Sequence, residues 1–98
     1  MNRTEAIERL MDQAPALRSR GATALYLFGS TARGEARASS DLDVFIDYDP
    51  AGRFNAFDLV GLKRFLEERM DARVDLTTRD GLHPMLKKSI EREALKVY

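Results

Sequence analysis

The run Leu42 to Tyr48 constrains this chain more than any other stretch. Leu42, Val44 and Ile46 recur at every second position, while Asp41 and Asp43 take the alternate positions at its start. Successive side chains of a strand point to opposite faces, so the pattern predicts a strand with one apolar face and two carboxylates leaving the other. A second short apolar run, Ala24 to Phe28, ends in Gly29-Ser30 and reads as a buried strand feeding a turn. Between them, Thr31 to Ser40 is small, polar and glycine-containing, a loop with room for one helical turn.

The flanking segments supply helices. Ile7, Leu10, Met11, Ala14 and Leu17 recur at helical spacing, with Thr4 as N-cap, Gly21 as stop and Pro15 as a kink or restart. Asp49-Pro50-Ala51-Gly52 breaks the chain after the second strand. Asn55 caps a helix reaching Met70, with an apolar stripe of Phe57, Val60, Gly61, Phe65, Leu66 and Met70. Arg73 to Thr77 reads as a third strand. A last helix begins near Pro84 and runs through Met85, Leu86, Ile90 and Ala94. The order helix, strand, strand, helix, strand, helix predicts an α/β or α+β fold, a small mixed sheet of three to four strands flanked by helices, in a single domain over residues 1–98.

Composition narrows the chemistry. Without cysteine the 98-residue chain has no disulfide, no thiol nucleophile and no Cys-based metal site. Its 16 basic and 16 acidic side chains cancel, so it lacks the net basic field on which stable nucleic-acid binding rests. No apolar run approaches the ~20 residues of a membrane span, and Met1 to Leu10 has no signal-peptide core, so a cytoplasmic location is expected.

Asp41 and Asp43 leave the same strand face a few ångströms apart, where like charges repel by several kcal/mol, on the order of 4 at an effective dielectric of ~20. A divalent cation is the usual offset, and Mg²⁺ takes one or two carboxylates plus substrate phosphates. Gly29-Ser30 at the end of a strand lets backbone approach a phosphate, Ser30 can donate its hydroxyl, and the Arg33 fork suits phosphate oxygens. Asp75, a lone acid between Val74 and Leu76, is the third carboxylate. If its strand neighbours that of Asp41 and Asp43, the three acids converge. One can then serve as general base while metal ions clamp the reacting phosphate.

These residues carry a resemblance. Gly29-Ser30, ten residues, then Asp41-Leu42-Asp43 resembles the Gly-Ser-x₁₀-Asp-x-Asp signature of the DNA polymerase β-like nucleotidyltransferase superfamily. The longer string from Leu27 through Arg33-Gly34-Glu35 to Ser40-Asp41 is similar to its minimal branch, the MNT proteins. The resemblance implies a polymerase β palm-like fold, two Mg²⁺ ions on Asp41, Asp43 and Asp75, and ATP held at Gly29 and Ser30. It further implies AMP transfer to a hydroxyl of a protein partner, as the antitoxin that neutralises a HEPN-domain ribonuclease toxin. HEPN proteins carry Arg-x₄₋₆-His, whereas Arg79 and His83 stand at an x₃ spacing, so the chain is similar to the MNT half alone. Larger superfamily members add an acceptor domain, so here the partner or a second copy must complete the acceptor site. Exposed apolar positions on the last helix offer a surface for homo-oligomers. Two rivals stand beside this expectation: transfer to a small-molecule hydroxyl, and a non-catalytic module that neutralises its partner by covering it.

Other residues read more simply. Asp47 lies about 13 Å along the strand from Asp43 at ~3.3 Å per residue, too far to share its metals, and is expected as a solvated strand-end acid. Glu35 is expected to be structural or partner-facing, and His83 a capping or surface residue. Lys63, Arg64, Lys87 and Lys88 read as solvated helix faces.

Overall fold

The computed structural model of the chain describes residues 1–37 and 40–98. The expected loop from Thr31 to Ser40 therefore includes two positions, Ala38 and Ser39, outside the described residues. Helix α1 spans Arg3–Asp12 and α2 spans Ala14–Ser19. Pro15 restarts the helix, lying in the first turn of α2, where its missing N–H costs nothing. Asn2, not Thr4, caps α1: its side chain accepts from the Glu5 amide at 2.8 Å, so the helix begins one residue before the expected cap.

Strand β1 (Ala22–Phe28) leads into the four-residue α3 (Gly29–Ala32), then β2 (Leu42–Tyr48), α4 (Ala56–Met70) and β3 (Val74–Thr78). A 3₁₀ turn at Arg79–Gly81 precedes α5 (Lys87–Glu93) and the two-residue β4 (Leu95–Lys96). The sheet is four-stranded and mixed, in the order β3-β2-β1-β4. Strand β1 runs antiparallel to both β2 and β4, whereas β2 and β3 are parallel. The last helix starts at Lys87 rather than near Pro84, because Pro84 to Leu86 form a turn. Met85 and Leu86 are consequently exposed outside any helix.

One face of the sheet carries the core. Leu25, Leu27, Leu42, Val44, Ile46, Val74 and Leu76 pack against Ala6, Leu10 and Leu17 of the first two helices and Leu62, Leu66 and Met70 of α4. The α4 stripe differs from the expected one, since Phe57 is 88% exposed and Val60 51%. Asn55 does cap α4, in a reciprocal box with Asp58.

The opposite face of β1 and β2 carries Tyr26, Phe28 and Phe45, with Tyr26 stacked on Phe45 at 4.7 Å between centroids. Phe45 is buried there because Arg79 lies over both rings, 4.8 Å from Tyr26 and 5.0 Å from Phe45. Asp47 holds that arginine with two bonds, 2.8 Å to Nε and 3.1 Å to Nη2, so it is a clamp and not a solvated acid. Glu91 of α5 grips the same guanidinium at 2.6 Å.

Candidate active site

The site grows from two strand registers. In the parallel pair Asp43 stands opposite Asp75, and in the antiparallel pair Asp43 stands opposite Phe28. The first register puts the Asp43 and Asp75 carboxylates side by side on neighbouring strands. Asp41 lies two residues before Asp43, just ahead of β2 and exposed, near enough for its charge to act on Asp43. The second register sets the turn after β1, where Gly29 begins α3, against Asp43. The structure thus sets Asp43 beside Asp75 at one end of the β2–β3 pair, with the Gly29 turn against Asp43 and Asp41 just ahead of β2.

Gly29 is glycine for two reasons that coincide. Its φ is +74°, a region L side chains rarely adopt, and a Cβ at this position would overlap the Oδ2 of Asp43. The backbone therefore passes directly against the carboxylate. Ser30 follows, half-buried, as the second residue of α3, and Arg33 caps the end of that turn.

Electrostatics mark Asp43 as the centre of the acid row. Burial pushes its carboxyl above the ordinary carboxylate range, and the negative charges of Asp75 and then Asp41 push it further. Arg33 opposes the shift and Glu93 adds to it. Three like charges with one partial offset fit a divalent cation, and all the donors are hard carboxylate oxygens of the kind Mg²⁺ prefers. Among the described residues no three acidic or imidazole side chains are gathered closely enough to hold a metal ion.

Arg33 points at carboxylates on two sides. It donates to Glu35 from Nε at 3.1 Å and to both oxygens of Glu93 from Nη1 at 3.4 and 3.3 Å. These contacts raise its pKa further above the ordinary arginine value, the Glu35 bond contributing most. Glu93 also accepts from the Gly29 amide at 3.2 Å. No sequence signal singles out Glu93: it lies 64 residues from Gly29, in a short C-terminal helix. His83 behaves as expected, accepting the Met85 amide on Nδ1 at 3.2 Å.

The family model described as nucleotidyltransferase domain matches residues 10–97. A Methanocaldococcus jannaschii protein, provisionally named a protein adenylyltransferase, is 37% identical over 83 residues, covering 85% of this chain and 87% of its own. The protein adenylyltransferase MntA of Thermococcus cleftensis is 34% identical over 77 residues, or 79% of this chain and 76% of its own. A solved structure provisionally described as a minimal nucleotidyltransferase superimposes with a TM-score of 0.80 at 34% identity, covering 97% of this chain and 95% of that one. A structure of a tri-AMPylated Shewanella oneidensis HEPN toxin in complex with an MNT antitoxin shares the fold, with a TM-score of 0.65 at 19% identity over 90% of this chain and 68% of that one.

Proposed function

Because this chain belongs to the nucleotidyltransferase domain family, we propose that it transfers AMP from ATP, with Mg²⁺, to a hydroxyl of a protein partner. The partner in this proposal is a HEPN-domain toxin, and the chain is the antitoxin, acting as a single domain in the cytoplasm. The observation that carries the proposal is the pairing of Asp43 with Asp75 across parallel strands, with Asp41 just ahead of β2 and the Gly29 backbone against Asp43. Protein transfer, rather than transfer to a small molecule, follows from the relatives named protein adenylyltransferases. The HEPN partner follows the complex whose antitoxin shares this fold.

In this scheme Asp41, Asp43 and Asp75 hold the metal. Bound there, Mg²⁺ supplies charge neutralisation at the α-phosphate and at the leaving pyrophosphate. Gly29 and Ser30 receive the triphosphate, and Arg33 offsets its charge. The acceptor oxygen attacks the α-phosphorus, the bond to the bridging oxygen of the β-phosphate breaks, and pyrophosphate departs. One carboxylate of the row takes the hydroxyl proton. Positioning and electrostatics do most of the work in this class of reaction.

The test is transfer of label from α-labelled ATP with Mg²⁺, with and without cell lysate or the product of the neighbouring gene. Label is expected on one protein band and is expected to vanish with Asp41→Asn/Asp43→Asn. Full transfer by that double variant would refute the assigned acids. A stable complex with the neighbour and no label from either protein would favour neutralisation by binding alone.

A further inference from the structure

The Gly29 amide and the Nη1 of Arg33 both donate to one carboxylate of the protein, while the Nε of Arg33 keeps Glu35. Glu93 Oε1 accepts from the Gly29 N–H at 3.2 Å, while Arg33 Nη1 reaches both Glu93 oxygens. A main-chain amide paired with a guanidinium is a donor set that serves carboxylate and phosphate alike. The carboxylate stands close enough to Asp43 to disfavour its charge, so it adds a fourth negative group beside the acid row. In a site for a polyanion, a resident carboxylate on the anion donors opposes the ligand twice, by occupying its partners and by repelling its charge.

We propose that Glu93 is a resident counter-anion in the phosphate seat, which a phosphate oxygen of the incoming nucleotide must displace from Gly29 and Arg33. The proposal rests on the nucleotidyl-transfer function argued above. Glu93 keeps the Gly29 turn and the Arg33 side chain in their binding arrangement while the site is empty of nucleotide. It also sets the threshold for nucleotide entry, because binding must release it. Its release frees the end of α5, the helix that Glu91 separately ties to Arg79. Arg33 and Glu93 are both partly exposed, their side chains 45% and 30% accessible, so the exchange needs no opening of the core.

The test is the affinity of the whole chain for α,β-methylene ATP, which cannot be cleaved at the transferred bond, with Mg²⁺ by titration calorimetry. Glu93→Gln keeps an acceptor oxygen for Gly29 but removes the charge, and the dissociation constant is expected to fall about fivefold, the scale of one partly exposed ion pair. Equal or weaker binding by Glu93→Gln, with wild type binding normally, would overturn the displacement and leave the nucleotidyl-transfer function standing. Absence of binding by both proteins would overturn both. A second readout needs no variant: the Gly29 amide resonance of wild-type protein is expected to move when inorganic triphosphate and Mg²⁺ are added. A resonance unmoved at saturating triphosphate would refute the shared seat.

Discussion

At Gly29 the backbone conformation and the neighbouring carboxylate make the same demand. Alanine there must adopt a positive φ and push into Asp43, so Gly29→Ala is expected to destabilise the chain by about 2 kcal/mol and to abolish transfer. Urea denaturation beside the labelling assay checks both effects. Asp43 itself makes a sharper case. Its folded-state pKa is raised, so the folded protein holds that proton more tightly than the unfolded chain. Its contribution is most favourable below the ordinary carboxylate pKa of about 3.9 and declines as pH rises through the folded value. In EDTA, Asp43→Asn is therefore expected to melt above wild type at neutral pH, with the gap closing as pH falls toward about 4. Mg²⁺ with nucleotide is expected to raise wild type and leave the variant unmoved. A wild type that melts above the variant in EDTA at neutral pH would refute an uncompensated acid row.

Among the elements, α4 shows where local rules suffice and where they do not. Its start is legible in the residues themselves, since Asn55 and Asp58 close a capping box. Asn55→Ala is expected to cost about 1 kcal/mol in chemical denaturation without changing transfer, because α4 packs on the sheet face away from the acids. Its buried face is not legible. Apolar residues at Phe57, Leu59, Val60, Leu62, Phe65, Leu66 and Met70 permit more than one stripe at helical period, and the sheet selects Leu62, Leu66 and Met70. Phe57→Ser is accordingly expected to shift stability by no more than about 0.5 kcal/mol, against about 2–5 kcal/mol for Leu62→Ala. The strands were more readable. The alternation in β2 marks its two faces, and the lone acid of β3 marks the side that registers with Asp43, because a period of two leaves little freedom. The start of α5 was less so, since Pro84 suits either a first helical turn or the preceding loop.

Across the whole molecule, what sequence could not disclose is what long chain separation brings together. The acid row needed only strand adjacency, and the Gly-Ser turn announced itself by spacing. Strand β4, Glu93 and the Arg79 clamp join segments that no local pattern links: Tyr98 donates to the Ala22 carbonyl at 2.8 Å across 76 residues. Arg79 ties β2, the aromatic pair and α5 into one unit, held by Asp47 and Glu91 above their rings. Arg79→Met keeps much of the packing and loses both ion pairs. Amide hydrogen exchange in Lys87–Glu93 is expected to quicken markedly while the β1 and β2 amides keep their protection. Equal acceleration in all three would show that the clamp supports the sheet as a whole. The alternating faces of β2 also carry a consequence for the gene. Removing any one codon between positions 43 and 46 would preserve the reading frame yet exchange inside for outside along part of the strand. Such deletions should score as complete nulls in a mutational scan, beside point substitutions at Val44 and Ile46 that keep an aliphatic side chain and pass unnoticed.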